Sequence, residues 1–415
     1  MNPKQYNLVP ALLLVIALAV IVAGIGMPVS ADKSKGTGSL PAPGVQDTIN
    51  PVSTNSEGDQ TEPVMNLTED EMDELQHEID TSPTYSAPRS SPPIPKGSLS
   101  LLPYLPYVPK ERGQGKCSDC WVWSSTGAIE IEHTIKSGIR DRLSIQYLND
   151  NFGSGPVGVD SGCCGGSVGR FVDWYSNKTA NPDAMKLIPW SNTNASFAPG
   201  QSCNSPITVG EPISITPSYQ MSSLSAATVS SFGVDKATAI NNIKSALNDG
   251  LPVLYAFNYD HTDMKAFQQW WRNQPETAIW DPMPYENDGG GAAHVTLLVG
   301  YDDKTDPKNP YWLVVNSWGA PPNRPDGTFR LSMNMNYNAA INNPGSKSKS
   351  KPRQQQSFHI IDAGFVDTPG TNVTGGTVPS SGTMATTPRA GPGTIPVFGA
   401  LTLAGIFFHD KRDGN

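Results

Sequence analysis

Two polar flanks confine the part of this 415-residue chain that can pack a core. Residues 32–100 are rich in Pro, Ser, Thr and acid, and residues 367–393 are mostly Thr, Gly, Pro and Ser. Neither stretch carries enough apolar surface to offset the entropy lost on ordering. The remainder, 101–366, has the length of one globular unit. Within it the helical patterns come first. Trp121, Ala128, Ile131 and Ile135 recur at helical spacing between Cys120 and Gly138, and further helices are predicted at 143–150, 166–175, 235–248 and 262–271. Strand patterns follow at 252–257, 294–301, 311–315, 328–333 and 358–365. Helices followed by strands predict an α+β fold with a helical lobe packed on a sheet lobe.

The acidic balance is local. Residues 32–80 hold twelve acidic side chains against Lys33 and Lys35, a net of -10, so a total of -9 leaves about +1 for the rest. A nucleic-acid surface is not expected. At the N-terminus an apolar run from Leu8 to Met27 precedes Val29-Ser30-Ala31, which reads as an export signal or an anchor over 1–31. The stretch 32–100 is either a solvated linker or a pro-segment covering a cleft, with a short amphipathic helix over Thr68 to Ile79. The Thr/Gly/Pro-rich 367–393 is a stalk, and 394–415, with its apolar run Ile395 to Phe408 before Lys411-Arg412, is a hydrophobic sorting or anchor segment. An exported, membrane- or envelope-tethered protein is expected, a monomer with its body outside the cell.

The chemistry lies at three separated points. Cys120 opens the first helix behind Asp119, His294 lies 174 residues later, and Asn316 ends the run from Tyr311 to Val315. A helix N-terminus and a nearby imidazolium both favour a thiolate, the form of cysteine that attacks carbonyls. His294 supplies the base and later the acid, and Asn316 fixes its ring. Trp318 shields that bond from water. The Gln114 amide and the backbone N–H of Cys120 are candidate donors to a developing oxyanion. Asp119 occupies the N-cap position, where its carboxylate helps as a cap but opposes charge on the sulfur.

Gln114, Cys117, Cys120-Trp121, Leu143-Ser144-Ile145-Gln146, Cys163 with Gly165-Gly166, His294 with Gly300-Tyr301, Asn316-Ser317-Trp318-Gly319 and Gly327-Thr328-Phe329-Arg330-Leu331 together resemble the papain family, over about 105 to 366. The resemblance implies a two-lobed fold with the active site in the cleft between a helical lobe and an antiparallel sheet or barrel lobe. It also implies endopeptidase activity on protein or peptide substrates, with Cys120, His294, Asn316 and Gln114 in the roles above and Gly165, Gly166 and Trp318 lining the substrate groove. By the same resemblance Cys117 pairs with Cys163, and Cys164 stands in as the partner of Cys203. Cys120 is then the free thiol. The whole suggests a surface-anchored member of prokaryotic or archaeal type that needs no metal or organic cofactor.

Three other readings fit parts of the pattern. A non-catalytic surface-binding module could keep the fold, and the same thiol could pass an acyl group to an amine. Cys117, Cys120, Cys163 and Cys164 could instead hold zinc, but export favours disulfides and zinc leaves the His294 and Asn316 strands unexplained. The basic stretch 342–356 reads as a solvated loop.

Overall fold

The computed structural model describes residues 62–88, 93–152, 162–192, 194–203, 213–285, 291–341 and 352–366. The signal or anchor run, the stalk and the C-terminal apolar segment lie outside these residues, as does most of the basic stretch. Among the described residues no helix is long and apolar enough to cross a membrane.

The helices are α1 Glu69–Thr81, α2 Cys120–Ser137, α3 Ile145–Asn151, α4 Val168–Ser176, α5 Lys236–Asn248 and α6 His261–Asn273. The strands are β1 Met65–Asn66, β2 Thr84–Tyr85, β3 Ser98–Ser100, β4 Lys186–Leu187, β5 Tyr219–Val229, β6 Val253–Asp260, β7 Ile279–Trp280, β8 Gly291–Asp302, β9 Tyr311–Val315, β10 Thr328–Ser332, β11 Ala340–Ile341, β12 Arg353–Gln354 and β13 Gln356–Phe365. The main sheet runs β2-β5-β13-β6-β8-β9-β10-β7, with β1 and β3 added to β8 and β4 added to β5, while β11 and β12 form a separate pair. The fold is α+β, with α2, α3 and α4 preceding the long strands.

Helix α2 is buried continuously from Cys120 to His133, which marks it as the central core helix rather than a one-faced surface helix. It ends at Gly138, whose left-handed backbone lets its N–H return to the Thr134 carbonyl. Arg112 and Glu130 form a buried pair at 3.1 Å, and Glu130 also accepts the Leu143 N–H, which ties α2 to the loop before α3. Strand β8 is buried along all twelve residues. It pairs antiparallel with β6 on one side and β9 on the other. The β8–β9 register sets Leu297 opposite Val315 and so brings the next residue, Asn316, toward His294. Cys117 is bonded to Cys163 and Cys164 to Cys203, and Cys120 carries the free thiol.

Two parts of the chain differ from the sequence-based reading. Of the two readings offered for 32–100, a solvated linker does not describe residues 62–88, which pack on the body through β1 on β8, β2 on β5 and α1 on β12. Arg353 is a buried cation on β12, not part of a solvated loop. The long strand β5 was also not anticipated, because Tyr219 to Val229 alternates Ser and Ala with only a few large apolar residues.

Candidate active site

Helix α2 and strand β8 bring the candidate residues together. Cys120 is the first residue of α2, and its sulfur lies against the backbone N–H of Val295, the residue after His294. Ser124, one turn further along the helix, donates to the Val295 carbonyl at 2.9 Å and fixes the helix on the strand.

The ring of His294 is held on two sides. Its Nε2 lies 2.8 Å from Asn316 Oδ1, and the same oxygen accepts the Ser317 backbone N–H at 2.8 Å. A backbone N–H can only donate, so the atom facing both groups is the amide oxygen, and Nε2 of the imidazole carries the proton. Nδ1 is left as the lone-pair nitrogen, and it has no hydrogen-bond partner among the described residues. Trp318 stacks on the ring, with centroids 4.4 Å apart and planes 22° from parallel.

Gln114 is buried beside them. Its Nε2 donates to the Cys117 carbonyl at 2.7 Å, and its Oε1 accepts from Ser317 Oγ at 2.5 Å. Sequence reasoning missed Ser317 as the link between the amide and the Asn316 turn; the signal for it was adjacency alone. Gly165 and Gly166 lie against Met65. A Cβ on Gly166 would come within 2.5 Å of the Trp121 ring, so only glycine lets this segment lie flat on the α2 start.

The groove is filled by the chain itself. Strand β1 pairs with β8 at Met65 opposite Ala293 and Asn66 opposite Ala292, next to His294. Trp318 Nε1 donates to the Pro63 carbonyl at 3.0 Å, Ser118 Oγ to the Val64 carbonyl at 2.8 Å, and the Gly166 N–H points at the Met65 sulfur at 3.4 Å. Cys120 and His294 are consequently 0% exposed. The sequence showed the helix that follows but not this extended stretch, whose Glu62 to Asn66 has no strand alternation to read.

Burial without a charged partner disfavours charge on both groups. The thiol of Cys120 is pushed up to about 12, chiefly by burial, with the Val295 N–H opposing and Asp119 adding to the rise. His294 is pushed down to about 4, again by burial, against the Asn316 bond. In this covered state the pair is therefore neutral thiol and neutral imidazole.

Asp119 departs from its expected role. It sits at the N-cap position, but its side chain makes no cap hydrogen bond. Instead Oδ2 accepts from Asn149 Nδ2 at 2.7 Å, and the Trp123 indole faces the same carboxyl. Burial raises this carboxyl from 3.8 to about 7. A raised carboxyl stabilises the fold fully below its unfolded value, and that contribution is lost as pH climbs through the folded value. Asp119→Asn should thus stabilise the protein at pH 8, by at most about 4 kcal/mol at 1.36 kcal/mol per pH unit, and change little at pH 4. Denaturant unfolding at the two pH values measures this; an equal effect at both would contradict it.

The sequence profile described as papain family cysteine protease matches residues 105–348. The chain belongs to the papain family of cysteine proteases. Among curated proteins it is 25% identical over 232 residues to digestive cysteine proteinase 1 of Homarus americanus, covering 55% of this chain and 60% of that one. It is 26% identical over 233 residues to cathepsin L of Sarcophaga peregrina, covering 55% and 57%. The chain thus spans somewhat under two thirds of these relatives. A solved procathepsin L2 proteinase from Tenebrio molitor larval midgut superposes with TM-score 0.42 at 19% identity, covering 68% of this chain and 74% of that one.

Proposed function

We propose that this papain-family protein is a cysteine endopeptidase in which Cys120 is the nucleophile, His294 the base and acid, and Asn316 the group that orients the ring. The observation that carries the reading is the Asn316 oxygen on His294 Nε2, which leaves Nδ1 unprotonated on the residue that precedes the Val295 N–H facing the Cys120 sulfur. In the uncovered enzyme, Nδ1 takes the thiol proton as Sγ bonds to the substrate carbonyl carbon. The second N–H of Gln114 Nε2 and the Cys120 backbone N–H meet the oxyanion. His294 returns the proton to the departing amine as the C–N bond breaks. Water, deprotonated by the same ring, then cleaves the thioester and restores the thiol. Gly165, Gly166 and Trp318 line the groove for the peptide.

Residues 62–85 act as the internal cover of this groove and must leave before a substrate enters. The rival outcome at the thioester is attack by an amine. A peptide substrate supplied with a labelled amine separates the two: we expect hydrolysed product, and ligated product as the major species would assign acyl transfer instead.

The protein is further proposed to be exported and held at the cell surface, as a surface-anchored prokaryotic or archaeal member would be. Two disulfides suit an oxidising compartment, and the apolar terminal runs suit attachment. Truncation before Ile395 should release the protein into the medium. Continued tight attachment would assign the anchor to 1–31.

A further inference from the structure

The surface under α1 is built for carboxylates and belongs to the body, not to the catalytic groups. Arg353 on β12 is the clearest element. Its side chain is 5% exposed, and among the described residues its charged partners both come from α1. Nη1 meets Glu69 at 2.7 Å, Nε meets Asp73 at 2.8 Å, and Nη2 reaches the Glu69 carbonyl. The neighbouring Gln354 N–H donates to Gln76 at 2.7 Å. At the other end of α1, Glu78 is received by Ser167 Oγ at 2.5 Å and the Gly169 N–H at 2.8 Å, at the start of α4.

The helix that fills this surface is charge-matched to it. α1 carries seven acidic residues and no Lys or Arg, and it opens with a full capping box between Thr68 and Glu71. Between its two polar ends it buries Met72 against the body. Only Leu67 and Thr68 separate α1 from the strand that fills the groove. Clearing the groove therefore pulls on α1. Once α1 is gone, the Arg353 guanidinium and the Gln354 and Gly169 N–H groups exchange their protein acceptors for water, and an acidic ligand of the same chemistry can restore those charge-assisted bonds.

We propose that the Arg353–Gln354 edge and the Ser167–Gly169 helix start form an exosite that docks an acidic amphipathic helix of a protein substrate, away from the bond that is cut. This deepens the peptidase reading and rests on it, because the surface is free only when the cover has left the groove.

The test uses the full chain carrying Glu69→Gln, Asp73→Asn, Glu78→Gln and Met65→Asp, which unlocks the cover. Its probe is a labelled synthetic peptide with the sequence of residues 68–81, which lacks the groove-filling stretch. Two control peptides carry the same three neutralising changes or the same residues scrambled. We expect the acidic peptide to bind with a Kd at least ten-fold below both controls, and Arg353→Gln in the same background to abolish the difference. Equal binding of the scrambled peptide, a preference that survives Arg353→Gln, or no binding by any peptide would each overturn the exosite. A fluorogenic substrate fused to the acidic helix should show a KM lowered at least ten-fold with kcat unchanged, and Arg353→Gln should erase that gain. Hydrolysis of a short peptide without the helix, measured in parallel, judges the peptidase reading separately: its loss would sink that reading, whereas its presence with no helix preference would sink only the exosite.

Discussion

His294→Ala should lower turnover by at least about 10² to 10⁴, the range expected for a positioned acid and base. The size follows from what the ring does alone in this site. Asn316 cannot accept the thiol proton, since its oxygen is already shared between His294 and the Ser317 N–H. Asp119 is the other nearby titrating group, and its Oδ2 is taken up by Asn149. A steady-state comparison of kcat/KM on a short peptide, with the cover unlocked in both proteins, reads the effect. A loss below about ten-fold would remove His294 from the reaction.

Met65→Asp in the full chain should raise the rate at which a thiol reagent modifies Cys120 by at least about 10²-fold near neutral pH. Met65 is buried between Gly165, Gly166 and Ala293, and burial of such a side chain is worth about 1.5–3 kcal/mol. A carboxylate in its place forfeits that and adds the cost of a buried charge, so the covered state weakens by about 3 kcal/mol or more. At 1.4 kcal/mol per factor of ten the open fraction grows about a hundredfold. Opening also readmits water, which removes the burial that now pushes the thiol up and the imidazole down. Both changes act in the same direction. An unchanged modification rate would mean that 62–68 does not control access.

The central helix, the strand holding His294 and the Asn316 turn were legible because each is signalled locally. Cys120 to Gly138 has helical apolar spacing and a glycine stop, while β8 and β9 are apolar runs bounded by turn residues. Two features of the site were not legible. The cover depends on a backbone pairing between Met65-Asn66 and Ala292-Ala293, a contact across more than 200 residues that leaves no periodic mark on either segment. The true partner of Asp119 was hidden for a similar reason. The residue looks like an N-cap by position, but the fold places Asn149 of α3 against its carboxylate, and that tertiary bond displaces the local one.

The most direct measurement is to unlock the cover, treat the reduced protein with an epoxide or vinyl-sulfone electrophile, and map the adduct by mass spectrometry. One dominant adduct is expected, on Cys120, and it disappears in His294→Ala. Equal labelling of all five cysteines, no labelling of Cys120, or undiminished labelling of Cys120 in His294→Ala would contradict it.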